Sequence, residues 1–510
     1  MSQHQAALRL DFVIVGAGVS GLAVAYTLAT AGHRVRVLER QSGFDGPAGG
    51  VRLPPNASKI LCNWAGVERL EKSAIKCTGT PWYNLENLKR AGYLHWKAPV
   101  LQQVGGDFYL IYYQDLVKLL HELAVSAGAK VDFNAEVTAV TPGDPEQPTV
   151  TLASGEVIKA DMVVGADGPL SIVRKLAFDP EEEPEAVPEG MVAYAAIVPA
   201  SVMLNDPELA EFMNVDEWTV FFGPNRSIGG HPTAGHTHYA YNVYWPEHEL
   251  ADPGKESWEE VVTHEEFGDF PLVCEPLKRL LKQTPVFVKR RLLKRPEGVE
   301  NWVDDSQTIA LIGEAAHPPF VPGALYHTSL VLEDALVFGA LSTKLQWKEQ
   351  IPLLLRGYAE LQEERRRSVA IADGAAARMV WMPPGPERDA RDAELLQGDN
   401  VPKDAEWDEE SCRRDIEETF QGSFIYDVQE AVEDWWQSWG RLDESLRQRT
   451  PSIYTRHHLF YHAIPLNVDI VVLDFIIENG NDCNSKQYRR LTSMCDVDEH
   501  LKINLTAVKT

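Results

Sequence analysis

Between residues 11 and 40 the chain places a strand, a glycine turn, a helix and a second strand in direct succession, and few folds accept such a unit. Phe12-Val13-Ile14-Val15 is apolar without alternation, the pattern of a strand buried on both faces. Gly16-Ala17-Gly18-Val19-Ser20-Gly21 follows as a GxGxxG turn. Leu22 to Ala31 reads as a helix of small and apolar residues, Gly32 ends it, and Val35-Arg36-Val37-Leu38 is a second strand parallel to the first. Gly16 permits the turn, Gly18 lets backbone approach a pyrophosphate, and Gly21 lets helix and strand pack closely. The helix N-terminus favours negative phosphates. Glu39 closes the second strand, where a carboxylate binds both hydroxyls of a ribose and disfavours a 2′-phosphate. Glycines alone are weak evidence, but the complete unit predicts a site for FAD or NAD rather than NADP, with Arg40 as a neighbouring contact.

Further buried strands are expected at Met162-Val163-Val164 and Ile309-Ala310-Leu311-Ile312, with short strands near Val131 and Val150. Helical patterns run over 115–127, 329–345, 351–381 and 428–439. Residues 185–295 switch to strand-like alternation with aromatics, as in Trp218-Thr219-Val220-Phe221-Phe222 and Tyr239-Ala240-Tyr241-Asn242-Val243-Tyr244. The first fold is therefore interrupted by a β-rich insertion and completed later. The segment 383–411, rich in Pro, Gly and acids, reads as a surface loop, and 446–510 shows no assignable pattern.

Charge narrows the partners. The 48 Lys and Arg against 75 Asp and Glu leave a formal net charge of −27, which disfavours nucleic acid and anionic lipid. Six scattered cysteines without a CxxC pair read as reduced thiols. Met1 to Leu10 lacks the apolar stretch of a secretory signal, so a cytoplasmic location is expected. The apolar run 463–477 contains Asp469 and Asp474 and is too short to span a bilayer. No metal site is expected.

Two later motifs follow buried strands. One is Gly165-Ala166-Asp167-Gly168-Pro169-Leu170-Ser171-Ile172-Val173-Arg174; the other is Gly313-Glu314-Ala315-Ala316-His317-Pro318, with Glu333-Asp334-Ala335 on the next helix. Each puts a carboxylate at the C-terminal end of a strand, where ligands of open α/β sheets bind. Taken together over about residues 10–440, these motifs resemble the single-component FAD-dependent aromatic hydroxylases, the group of p-hydroxybenzoate hydroxylase and salicylate hydroxylase. Asp167, Gly168, Ser171 and Arg174 match the family's GADGxxSxxR motif, which implies contacts to FAD and, indirectly, to the nicotinamide cofactor. Glu314 matches the acid of GDAAHPxxP, which in the family binds the ribityl chain. Ala48 to Ala57 resembles the salicylate hydroxylase segment beside the isoalloxazine, implying roles for Gly50 and Arg52. Pro384-Gly385-Pro386-Glu387 with Arg391-Asp392 resembles a loop of fungal members.

The resemblance implies an α/β fold: a Rossmann-type FAD-binding domain with an inserted β-rich substrate domain and C-terminal helices. Its parts are expected at 1–180 and 296–345 for the FAD domain, 181–295 for the substrate domain and 346–445 for the helical region, with 446–510 a tail outside the active site. Three departures stand out. Glu314 replaces an aspartate. The GQGAN stretch, whose N–H groups face the flavin, is replaced by Gly323-Ala324-Leu325-Tyr326-His327-Thr328-Ser329. Tyr113, with Gln114 beside it, stands where an arginine is common. Gly323, Ala324 and Tyr113 nevertheless remain expected cofactor contacts.

No catalytic base is fixed by the sequence. His231, Tyr194 and Tyr241 on strands of the insertion, and His327 in the altered loop, are the candidates for activating a phenol, each with packing as its alternative role. Trp435, Trp436 and Trp439 read as core contacts of the last helix. Three functional readings stay open. The first is a monooxygenase that uses NADPH or NADH and O₂ to hydroxylate a small apolar aromatic molecule in fungal secondary metabolism. The second keeps FAD but oxidises, epoxidises or performs Baeyer–Villiger insertion. The third is a non-catalytic binding protein of the GDP-dissociation-inhibitor type, against which Glu39, Asp167-Gly168 and Glu314 speak. With one GxGxxG unit, which FAD needs, the nicotinamide cofactor is expected to bind transiently, with Arg174 among its phosphate contacts.

Overall fold

Five parallel strands from widely separated parts of the chain lie side by side in the order Ile309–Leu311, Met162–Gly165, Asp11–Val15, Arg34–Leu38 and Lys130–Asp132. Val15 pairs with both Leu38 and Gly165, and Gly165 with Leu311, so these strands end in one row. Gly16, Glu39, Ala166 and Ile312 therefore begin one continuous rim. Ile309–Leu311, Met162–Gly165 and, after Asp11, the rest of Asp11–Val15 are apolar because helices cover this part of the sheet, whereas Arg34, Arg36, Lys130 and Asp132 lie toward its other edge. The helix Val19–Thr30 packs on His327–Ser342, and Thr27 fills the space beside Gly339 while its hydroxyl donates to the Ala335 carbonyl at 2.8 Å.

The computed structural model describes residues 5–46, 48–96, 98–143, 147–178, 187–255, 260–294, 302–317, 325–399 and 424–441. Gly323, Ala324 and the 446–510 tail lie outside the described residues. Among the described residues no helix is long and apolar enough to cross a membrane.

The β-rich insertion builds an eight-stranded sheet in the order Glu260–Val262, Phe287–Lys294, Val187–Pro199, His238–Pro246, Arg226–Pro232, Thr219–Gly223, Gly79–Asn84 and Arg90–His95. The last two strands come from outside 181–295. Gly79–Asn84 joins by parallel pairing with Thr219–Gly223, a long-range contact without a local signal. Side chains alternate between faces. Val192, Tyr194, Ile228, Tyr241 and Val243 bury one face in a core shared with the helix Glu275–Gln283. Ala193, Ala195, Ser227, Gly229, Asn242 and Tyr244 form the opposite, inner face, as their register shows. A three-stranded antiparallel sheet, Gly50–Leu53, Tyr109–Tyr112 and Ala74–Lys76, carries the segment next to that inner face.

The C-terminal region corrects one expectation. Within 383–411, expected as a loop, residues Pro386–Asp399 form a helix. It opens on proline, whose fixed φ suits a first turn. Arg391 lies over the Phe222 ring at 4.2 Å, and Leu395 packs against Gly92. Its polar composition reflects the exposed face of a helix that docks by few residues. The expected 428–439 helix is Val428–Trp435 continued by a π-helical turn, Trp436–Gly440. Trp435 and Trp436 are buried in the main core, whereas Trp439 is 46% exposed, so only two of the three tryptophans are core contacts.

Candidate active site

The rim opens at Gly16, whose φ of +101° is left-handed and whose Cβ, if present, would stand 2.5 Å from the Ala166 carbonyl oxygen. Only glycine meets both demands. Gly21 packs on the Gly16 carbonyl, so turn and helix interlock. Gly18 differs: the nearest atom to its Cβ position is the Tyr113 hydroxyl, 3.8 Å away, so this face is open. The following helix has no side-chain cap, which leaves its first-turn N–H groups to a ligand or solvent. Glu39 accepts from the N–H groups of Ala17 and Gln41, both at 2.8 Å. Each carboxylate oxygen retains a lone pair for a hydroxyl. Tyr113 is about a third exposed, yet its hydroxyl end is deep; burial, then the charges of Glu314 and Glu39, push the phenol up to about 12, so it stays neutral. Gln114 turns away to the Gly46 carbonyl at 2.7 Å, and Arg40 sits exposed beside Glu39. An uncapped helix start, an open glycine and a ribose-type acid in one crevice fit an FAD adenosine diphosphate.

The second motif is spent on structure more than on display. Asp167 accepts from the Ser171 hydroxyl at 2.5 Å and the Ile172 and Val173 N–H groups, capping the helix Ile172–Ala177. Burial pushes its pKa up while these bonds hold it down. Gly168 makes the turn between them with φ +80°. Arg174 is buried, and its guanidinium donates to the Ala315 and Ala316 carbonyls at 2.9 and 3.2 Å. Arg174, expected among the nicotinamide phosphate contacts, thus has its guanidinium on backbone carbonyls and ties the third motif to the second.

In the third motif, burial opposes ionisation of Glu314, but Arg290 and His327 prevail and hold its carboxyl down at about 2. Arg290 Nη1 donates to Glu314 Oε2 at 2.9 Å, and His327 Nε2 lies 3.6 Å from Oε1. Beneath, Asp334 accepts from the Gly313 N–H at 2.9 Å and bonds His317 Nε2 at 2.7 Å. Glu333 forms a fully buried pair with Arg365 at 2.7 Å and accepts from Asn56 at 3.0 Å. Arg290 and Arg365 were missed in the sequence. Lys289-Arg290-Arg291 within a strand was the available signal, because alternation must send at least one of the three inward.

On the inner face, Asn242 donates to the Gly50 carbonyl at 3.1 Å, and Asn242 and His231 occupy the space that side chains at positions 49 and 50 would need. Burial pulls the His231 pKa down to about 4. Its Nδ1 meets the Pro232 carbonyl at 2.8 Å, so the proton sits on Nδ1 and Nε2 faces Gly50. His231 thus buttresses the strand Gly50–Leu53. Tyr194 and Tyr241 point into the opposite core, packed on Phe267 and bonded to Thr284, and do not reach this site. Arg52 lies over the Trp218 ring at 4.8 Å; burial pulls its pKa down against nearby Tyr244, Asp373 and Tyr326. Asp373 accepts from the Leu325 and Tyr326 N–H groups at 2.6 and 3.1 Å, pinning the altered loop just before His327.

The sequence profile of a family described as FAD binding domain matches residues 9–279, more than half of the 510. The chain belongs to this FAD-binding family. FAD-dependent monooxygenase OpS4 from Beauveria bassiana (strain ARSEF 2860) is 26% identical over 389 residues, covering 75% of this chain and 88% of that protein. The 3-amino-4-hydroxybenzoate 2-monooxygenase PtmB3 from Streptomyces platensis is 28% identical over 396 residues, covering 76% and 92%. Among solved structures, a salicylate hydroxylase substrate complex superposes with a TM-score of 0.62 at 20% identity, covering 83% of this chain and 97% of that one. The protein is an FAD-dependent monooxygenase of the aromatic-hydroxylase type, and the non-catalytic reading is set aside.

Proposed function

We propose that this monooxygenase uses NADPH or NADH and O₂ to hydroxylate a small, apolar aromatic molecule bound between the strand Gly50–Leu53 and the inner face of the eight-stranded sheet. The observation that carries the reading is the make-up of that face. Trp218 lies under Arg52 at 4.8 Å, and Tyr244 stands 6.2 Å from Trp381, whose indole N–H donates to Ser227 at 3.1 Å. Planar side chains with few polar groups suit an aromatic ring. One cation, Arg52, suits an electron-rich oxygen on that ring. Gly16, Gly18, Gly21, Glu39, Tyr113 and Glu314 hold FAD, which when bound carries two electrons and supplies activated oxygen. The chain's own residues position the ring and exclude water. The balance is one substrate, one O₂, one NAD(P)H and one proton to hydroxylated product, water and NAD(P)⁺. In this reading the reaction belongs to fungal secondary metabolism; its similarity to a fungal FAD-dependent monooxygenase supports the fungal part.

The nicotinamide cofactor binds transiently in this reading. The crevice at Gly16 is taken by FAD, and Arg174 is committed to backbone carbonyls. Anaerobic rapid mixing of the holoenzyme with NADPH or NADH, with and without hydroxybenzoates and phenols, tests the proposal, followed by ¹⁸O₂ and mass spectrometry. One compound is expected to speed flavin reduction at least tenfold and to leave with one ¹⁸O atom. Stoichiometric co-purified nicotinamide, reduction unaffected by every compound, or peroxide as the sole product would refute it.

A further inference from the structure

The Glu314 carboxylate is gripped from outside its own sheet. Gly313 and Glu314 form the turn after the strand Ile309–Leu311, at the end of the parallel sheet where ligands bind. Ser20, in the first turn of the helix Val19–Thr30, packs where a Cβ of Gly313 would lie, so this turn touches the start of the pyrophosphate-type helix. The Tyr113 hydroxyl lies 3.8 Å from the Cβ position of Gly18, at the start of that helix, and the charges of Glu314 and Glu39 both raise its pKa. Arg290 belongs to the strand Phe287–Lys294 of the eight-stranded sheet, its side chain is 3% exposed, and it reaches Glu314 Oε2 at 2.9 Å.

We propose that Arg290 and Glu314 act as one unit in FAD binding: Arg290 fixes the acid at the crevice rim, and a glutamate is required there because only the longer side chain reaches the neighbouring sheet. The inference rests on the reading that Glu314 faces FAD. Replacing glutamate by aspartate removes one C–C bond, about 1.5 Å. From 2.9 Å, that retreat exceeds hydrogen-bond reach. Arg290 would then be a buried cation deprived of this acceptor, which is costly. The pair also solves a charge problem. FAD brings a pyrophosphate with two negative charges into a crevice that already holds Glu39 and Glu314, and Arg290 neutralises one of the acids. His327, 3.6 Å from the other Glu314 oxygen, holds the carboxylate from a third element. The aspartate common in the resembling enzymes should therefore be the wrong acid in this chain.

The test is fluorescence titration of FAD into the apo forms of the full-length wild type, Glu314→Asp, Glu314→Gln, Arg290→Met, Arg290→Lys and the double variant Arg290→Met/Glu314→Asp. Thermal unfolding of each apo form is recorded alongside. Glu314→Asp and Arg290→Met are each expected to weaken FAD at least tenfold. The double variant should be no more than twofold worse than the weaker single. Arg290→Lys, which keeps the charge, supplies the Arg290 arm if the methionine variant does not fold. FAD affinity within twofold of wild type for Glu314→Asp, or additive losses in the double variant, overturns the proposal. So does a lowered apo melting temperature with unchanged FAD affinity, the signature of a purely structural pair. If Glu314→Gln weakens FAD while Arg290→Met does not, Glu314 faces FAD but Arg290 is no partner in it. If neither weakens FAD, the reading of Glu314 itself fails.

Discussion

The rim of the parallel sheet and the inner face of the eight-stranded sheet are built on opposite principles. At the rim, it is mostly backbone that is offered to a ligand: a left-handed Gly16, an open Gly18 and uncapped helix N–H groups, with Glu39 as the principal side chain. On the inner face, side chains from strands far apart in sequence converge, as when Asn242 holds Gly50 and Trp381 holds Ser227. A backbone site demands particular residues at fixed local spacing, whereas a side-chain site can be assembled from almost any order of strands. The rim is therefore general to a fold, and in the proposed function the inner face is where this chain selects its own substrate.

The contrast implies that scaffolding behind the rim carries the largest stability effects. Arg365 and Glu333 are a closed, buried pair beneath it. Arg365→Met is expected to cost about 3–5 kcal/mol in denaturant unfolding, because Glu333 keeps its charge without that partner. A loss below about 1 kcal/mol would show that the pair can be dismantled at little cost.

A smaller effect belongs to the inner face and depends on pH. The folded His231 pKa is about 4 against an ordinary 6.5. Above pH 6.5 neither state binds the proton. Between 6.5 and 4 the unfolded state binds it and the folded state does not, so stability falls as pH falls through that window. The full difference is up to about 3 kcal/mol. His231→Gln should lessen the slope of the 6.5-to-4 portion of the stability profile, leaving the share of His33, whose pKa burial also pulls down to about 4; an identical slope in both proteins would remove His231 as a source.

Legibility in the sequence follows the same division. Gly16, Gly18, Gly21 and Glu39 were readable because their partners lie within about one βαβ unit. The strands 162–165 and 309–311 were readable as apolar runs, and they flank each other in the sheet. Asp167 and Arg174 were visible as a motif, but their tasks were not: the carbonyls that hold Arg174 lie 141 and 142 residues away. Tyr194 and Tyr241 looked equivalent to residues of the inner face because register decides which face a strand residue takes, and register is a long-range property. The same limit hid the strands 79–84 and 90–95, recruited into the eight-stranded sheet, and the Arg290–Glu314 pair between two sheets. The helix 386–399 was lost for another reason, since charged, Pro-led composition serves loops and exposed helices alike.

The central claim is that the rim holds the adenosine diphosphate of FAD and that Trp381, on the inner face, takes no part in it. Titration of FAD into apo Glu39→Ala and apo Trp381→Phe tests it in one experiment. Glu39→Ala removes a charged acceptor worth about 1.5–3 kcal/mol, a loss of roughly 10- to 150-fold in affinity. Trp381→Phe removes only the neutral bond to Ser227, worth about 0.5–1.5 kcal/mol to folding, and should leave the FAD dissociation constant within about twofold. FAD affinity unchanged in Glu39→Ala, or lost in Trp381→Phe while the fold persists, would contradict the account.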